Sequence, residues 1–220
     1  NGKEEWSKTY GWVYNETGFS LVQTVDGGFL LVGSKWNPYL KKHNIWIVKV
    51  GPSGTQEWDR LVDEDYSGYG HKIVESGDGL YTVAGVTKKL GNDWYDLWMA
   101  KMDFSGNLLW EQVHSMSHIA INKWYYVDIA PTNDGGIICV GPTDQYGLNM
   151  DALLMKFDFY GNIEWNGIYG GKGQDIGLSV VQAKDQGFAF LGRSNSYGNG
   201  LYDYFFVKTD SIGQSVLFPD

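Results

Sequence analysis

A phrase of the form Lys-x-x-x-x-Gly-x-x-x-Trp recurs along the chain, and a sequence that repeats must fold as units that bury their apolar faces against one another. The lysines are Lys49, Lys101, Lys156 and Lys208, the glycines Gly54, Gly106, Gly161 and Gly213, and the aromatic residues Trp58, Trp110 and Trp165, with Leu217 in the last copy. An earlier Trp6 keeps the same period of about 52 residues. A second phrase runs in step: Asp26-Gly27-Gly28-Phe29, Asp78-Gly79-Leu80-Tyr81, Asp134-Gly135-Gly136-Ile137 and Asp185-Gln186-Gly187-Phe188. Each leads into an apolar stretch that ends at Gly33, Gly85, Gly141 or Gly192.

Within a copy the apolar runs are short and rich in Val, Ile and aromatic residues, the composition of strands. In the second copy they cover residues 71–75, 81–86, 97–102 and 108–113. Asp-Gly-Gly between the first two runs suits a hairpin turn, and Phe104-Ser105-Gly106-Asn107 between the last two supplies glycine where φ is positive. No stretch carries a helical period. Four antiparallel strands repeated four times describe the blades of a propeller. An ordinary sandwich is the alternative, but it has no reason to keep so regular a period. The expected fold is therefore all-β, a four-bladed β-propeller in one domain over residues 1–220, with blades at 18–62, 70–113, 126–169 and 177–218.

The run Ala100-Lys101-Met102-Asp103-Phe104-Ser105-Gly106-Asn107-Leu108-Leu109-Trp110 resembles the Trp-docking repeat of quinoprotein-type propellers. The whole unit is more similar to repeat arrays in secreted and surface proteins of bacteria and archaea. The resemblance implies the fold and an extracellular or cell-surface location, and it implies no particular activity, because such propellers host many.

Closing the ring raises a question of strand count. Five segments fit the outer-strand position, at residues 5–10, 57–62, 109–113, 164–169 and 214–218, whereas four blades need four. Residues 5–10 keep Trp6 and Tyr10, and are expected to supply the outer strand of the last blade beside residues 204–209, in the same chain or in a neighbour. That would hide sheet edges. It also opens the possibility of self-assembly through the spare strand. The alternative is that the sequence is a piece of a longer array.

Composition narrows the function. A net charge of −9 argues against nucleic-acid and anionic-membrane partners. No apolar run approaches the ~20 residues of a membrane helix. The chain opens at Asn1 rather than Met and shows no signal peptide, so a processed or trimmed chain is expected, and an export signal is compatible with the missing part. The single Cys139 rules out an internal disulfide framework, and it falls in a predicted strand as a small buried hydrophobe.

The 10 Trp and 15 Tyr exceed what a core of this size needs. The turns within each hairpin pair are short and uniform. The second-to-third loops, at 34–43, 87–95, 142–150 and 193–202, are long and different in every copy, as are the links between blades. Function is expected on this loop-rich face. Its loops carry Trp36, Tyr39, Trp94, Tyr95, Tyr146, Tyr197 and Tyr202, and its links add Trp12, Tyr14, Tyr66, Tyr69, Trp124 and Tyr125. The ligand-binding residues expected from this reading are Trp36, Tyr39, Trp94, Tyr95, Trp124, Tyr125, Tyr146 and Tyr197. An aromatic platform with nearby Asn and Asp suits sugar rings, and it suits a protein partner equally. The recurring Trp6, Trp58, Trp110 and Trp165 are read instead as packing between blades.

Catalytic and metal signatures are missing. There is no Gly-x-Ser-x-Gly elbow and no phosphate-binding loop. His114 and His118 are four apart but not on a helix, and the acidic run Asp63-Glu64-Asp65 lacks the spacing of a calcium loop. No cofactor, metal or catalytic residue is therefore assigned. The expected function is non-enzymatic: recognition of a glycan or protein through the aromatic face. The alternatives are a structural subunit of a surface layer or filament built by strand exchange, and a glycan-acting hydrolase with two carboxylates meeting in the central funnel.

Overall fold

The computed structural model describes residues 2–62, 66–77, 79–116, 126–144, 149–198 and 200–215. Their regular structure is all β. The first sheet comprises β1 (Glu16–Gln23), β2 (Phe29–Asn37), β3 (Lys42–Val50) and β4 (Gln56–Leu61). The second holds β5 (Tyr66–Glu75), β6 (Leu80–Lys89), β7 (Asp96–Asp103) and β8 (Leu108–His114). The third holds β9 (Asp128–Pro131), β10 (Ile137–Thr143), β11 (Asp151–Phe157) and β12 (Ile163–Tyr169). The fourth has three strands, β13 (Asp175–Gln182), β14 (Phe188–Ser194) and β15 (Asp203–Thr209). Every sheet is an antiparallel meander in chain order, and the inner strands β1, β5, β9 and β13 pack in succession. This is a four-bladed β-propeller.

The repeated glycines follow from backbone geometry. At Gly54, Gly106, Gly161 and Gly213 φ is positive, between 74° and 85°, the left-handed region that other residues enter only with strain. In three of these turns one aspartate organises the loop. Asp103 Oδ1 accepts from the backbone N–H of Ser105 (2.9 Å) and Asn107 (3.0 Å), and Asp158 and Asp210 do the same for their own turns.

The repeated lysines have a reason that the sequence phrase alone does not reveal. Lys49 is fully buried, and its ammonium lies 2.9 Å from Asp26 of the first hairpin turn and 3.1 Å from Glu57 of β4. Lys156 does the same with Asp134 and Glu164, both at 2.8 Å. One buried cation thus ties the turn phrase to the outer strand, which is why the two phrases keep step. A buried charge is tolerated only with such partners. The Thr24 hydroxyl and Lys49 together hold the Asp26 carboxyl down at about 2.

Blades join through two kinds of contact. Each inner strand is stitched to the next: Ser20 accepts from Ile73 N–H, His71 Nδ1 from Val127 N–H at 3.2 Å, and Asp128 from Val180 N–H at 2.9 Å. Each outer-strand tryptophan then lies on the turn glycine of the following blade, Trp58 against Gly106, Trp110 against Gly161 and Trp165 against Gly213. The three tryptophans sit opposite Lys49, Lys101 and Lys156, at one equivalent position. They are half-buried rather than mostly buried, because the outer strand lies at the blade rim. Between blades the apolar clusters are continuous. Leu30, Val32, Ile45 and Ile47 of the first blade meet Tyr81, Val83, Ala100 and Met102 of the second.

The expected pairing of residues 5–10 with 204–209 is not made within this chain. Residues 2–13 form no strand and lie on the first blade, with Trp6 against Gly54 and the Tyr10 hydroxyl donating to the Gly54 carbonyl at 2.7 Å. Among the described residues, three of the four blade junctions are formed. The expected C-terminal strand at 214–218 falls largely outside the described residues.

Burial also sets a pH response. His71, enclosed by Phe19 and Tyr126 and holding the Val127 N–H, is pushed down to about 4 by desolvation. An unfolded histidine titrates near 6.5. Unfolding therefore takes up a proton between these values, and stability falls as pH drops through that window. The expected loss between pH 7 and 4 is about 3 kcal/mol. Half-buried His114, also lowered by desolvation, acts in the same direction. Melting curves across the window check this: His71→Asn, whose amide oxygen can keep the Val127 contact, should remove most of the slope.

Candidate binding site

The strongest candidate site grows out of the first blade. β2 runs on to Asn37 and β3 starts at Lys42, so the loop between them is only four residues long and Trp36 stands on a strand rather than in the loop. Trp36 N–H donates to Asn15 C=O at 3.1 Å, which fixes the entering link beside this hairpin. Asn37 Oδ1 then accepts from the backbone N–H of Tyr39 (3.0 Å) and Leu40 (3.1 Å), shaping the turn that raises Tyr39.

The link and the hairpin end enclose a cleft of ≈ 340 Å³ whose aromatic walls are Trp12, Tyr14, Trp36 and Tyr39. Lys35, Asn37 and Asn44 also reach it. Tyr39 is 93% exposed and Trp12 83%, so together they present a contiguous aromatic surface to solvent. Trp36 is more enclosed and rests edge-on against His43, ring centroids 5.0 Å apart. His43 in turn meets Tyr69 at 4.9 Å. The cleft thus has an aromatic backing and an exposed apolar front, with amide groups at its side.

The remaining expected residues do not gather here. Tyr95 is a correction: it is buried, packed in the core beside Tyr69 with the Lys88 ammonium over its ring, because the residue before β7 turns inward. Trp94 next to it is partly exposed. Tyr197 lies in the loop of the fourth blade, stacked on Phe205 with centroids 5.9 Å apart, its hydroxyl donating to Gly170 C=O at 2.8 Å. Trp124, Tyr125 and Tyr146 fall outside the described residues. Trp12 and Tyr14 were visible as link aromatics. What placed them with Trp36 and Tyr39 is the Asn15 carbonyl contact, which no spacing announces.

A second polar cluster lies where the third and fourth blades meet. Asp175, fully buried, accepts from Gly171 N–H (2.8 Å) and the Ser196 hydroxyl (2.5 Å), clamping link to loop. Asp151 faces it across Gly170, and burial together with the Asp175 charge raises the Asp151 carboxyl above its ordinary range. Among the described residues no group of three or more His, Cys, Asp or Glu is arranged to hold a metal ion. Cys139 is buried and free, its thiol pushed up by desolvation.

No family model matches the chain, and no curated protein matches it. Among solved structures, a GH43 endo-arabinanase from Bacillus licheniformis aligns over 96% of this chain and 79% of its own length, at 12% identity and a TM-score of 0.47. An arabinanase from Bacillus subtilis aligns over 89% of this chain and 72% of its own, at 10% identity and a TM-score of 0.46. A GH32 β-fructofuranosidase from Bombyx mori aligns over 90% and 49%, at 12% identity and a TM-score of 0.45. At this level no residue role is carried from them to this chain.

Proposed function

We propose that this propeller is a non-enzymatic carbohydrate-binding module that takes a sugar chain in the cleft of its first blade. The observation that carries the reading is the grouping of Trp12, Tyr14, Trp36 and Tyr39 around one concavity, two of them almost fully exposed. The apolar face of a pyranose or furanose ring stacks on such surfaces, and Asn37, whose Oδ1 already serves the turn, keeps its NH2 group to donate to a hydroxyl. The net charge of −9 suits a neutral or basic glycan better than an acidic one. The likeness of the repeat to secreted and surface arrays suits an extracellular location.

A glycan-cleaving activity has one observation in its favour, the paired carboxylates Asp151 and Asp175. It ranks second because Asp175 is enclosed and occupied in holding link and loop together. A glycan array followed by calorimetry on the best binder tests the proposal. Trp12→Ala and Tyr39→Ala, both at exposed positions, should each weaken binding by about tenfold while leaving the melting temperature unchanged. Affinity unchanged from the parent chain in both variants, or release of sugar fragments during incubation, would refute it.

A further inference from the structure

We infer that the last blade is completed by a second copy of this chain, which adds its residues 5–10 to the outer edge of β15 and seats its first blade on the apolar face beside it. Each of the first three blades has a trailing face covered by the next blade. Ile45 and Ile47 in β3, Leu97 and Met99 in β7, and Ala152 and Leu154 in β11 are all buried there. The residues in step with them in the fourth blade are Tyr204 and Phe206, 92% and 67% exposed, and Leu191 and Val181 stand exposed on the same face. Such a face is ordinary at a blade junction and costly in water.

The matching half is present at the other end of the chain. On the first blade the leading face presents Leu21, which is exposed, and Leu31, with Trp46 and Val48 beneath Tyr10. Residues 5–10 rest on that blade as an outer strand rests on the blade after it. Trp6 lies on Gly54 as Trp165 lies on Gly213, and the Tyr10 hydroxyl donates to the Gly54 carbonyl as the Tyr169 hydroxyl donates to that of Gly213. Among the described residues, this segment belongs to no sheet and the fourth sheet has three strands where the others have four.

Charge points to the same fit. Lys49 and Lys156 each hold two carboxylates, one from the hairpin turn and one from the residue before the outer-strand tryptophan, Glu57 and Glu164. Lys208 holds Asp185 at 2.7 Å and, unlike buried Lys49 and Lys156, stays partly exposed. The dipeptide Glu5-Trp6 repeats Glu57-Trp58 and Glu164-Trp165. With Trp6 opposite Lys208, in the register that Trp58 keeps with Lys49, Glu5 supplies the missing partner and Ser7 falls opposite Val207.

Mixing two single-cysteine variants tests this on the whole chain. Ser7→Cys and Val207→Cys are made separately and combined under mild oxidation. A covalent heterodimer on a non-reducing gel is the expected result, and its absence overturns the inference. The double variant distinguishes the remaining arrangement: a disulfide confined to single chains would show that one molecule closes on itself, and would equally overturn it. Sedimentation of the unmodified chain should show concentration-dependent association. Phe206→Lys, which places a charge on an already exposed position and spares the fold, should weaken that association by about tenfold or more. A chain that stays monomeric at all concentrations would also refute the inference.

Discussion

Replacing Gly85 by alanine is expected to cost the fold about 3 kcal/mol, whereas the same change at Gly141 should cost far less. The two glycines stand at the same place in their repeats, so local sequence does not separate them. Their surroundings do. β5 carries an irregularity between Gly70 and Lys72 that presses its backbone against β6, and a Cβ on Gly85 would fall on the Tyr69 carbonyl oxygen and the Gly70 Cα. Gly33 and Gly192 face the same obstruction, from Thr17 and Gly18 and from Ile176 and Gly177. β9 begins only at Asp128 and pairs without such a shift, so at Gly141 the nearest obstacle is a Val127 methyl at 2.9 Å rather than backbone. Thermal melts read the contrast. Gly85→Ala should lower the midpoint by about 10 °C, given 2–4 °C per kcal/mol for a chain of this size. Equal shifts for the two variants would mean that the bulge does not govern this position.

Truncating Tyr81 to alanine should be at least as severe, at about 4 kcal/mol. This side chain is fully buried at the junction of the first two blades, among Leu30, Val32 and Val83. Its hydroxyl accepts the Val25 N–H of the neighbouring turn at 3.2 Å. Removing the ring leaves a cavity in a seam between two sheets, where neither can close up without breaking register. Tyr81→Phe separates the two contributions. It keeps the ring and leaves Val25 N–H without its partner, so a loss of about 1 kcal/mol is expected, and denaturant titrations of both variants should rank them in that order. A truncation no worse than the phenylalanine variant would show that the seam relaxes.

These examples mark what the sequence makes legible. Trp58, Trp110 and Trp165 announce the repeat and, through it, the sheets, because periodic residues must occupy equivalent places in a repeated unit. The strand bounds were less visible. β5 starts at Tyr66, within residues that read as a link, because two-sided burial of an inner strand erases the alternation that marks its end. The lysine phrase gave the register without its cause, since only folding brings Asp26 and Glu57 onto one ammonium. For the site, exposure was the hidden quantity. Tyr39 and Tyr95 read alike as loop aromatics, yet one faces water and the other the core, and that is decided by whether a neighbouring blade lies over the loop end. The unpaired N-terminal segment has a similar origin: the strand pattern names a partner type, and only the packed molecule tells which partner is within reach.

The seat of each tryptophan on the following blade's glycine bears on how such a chain grows. An outer strand belongs to one sheet by its backbone and to the next by its side chain, so the blade is not the smallest stretch that can be copied intact. The stretch from one tryptophan to the next is. Duplicating it carries a finished junction with it, because the incoming copy brings the glycine that receives the old tryptophan and the tryptophan that awaits a new glycine. Unequal crossing-over in the gene at these points would lengthen or shorten the array by whole junctions, each arriving with its tryptophan and its glycine already matched.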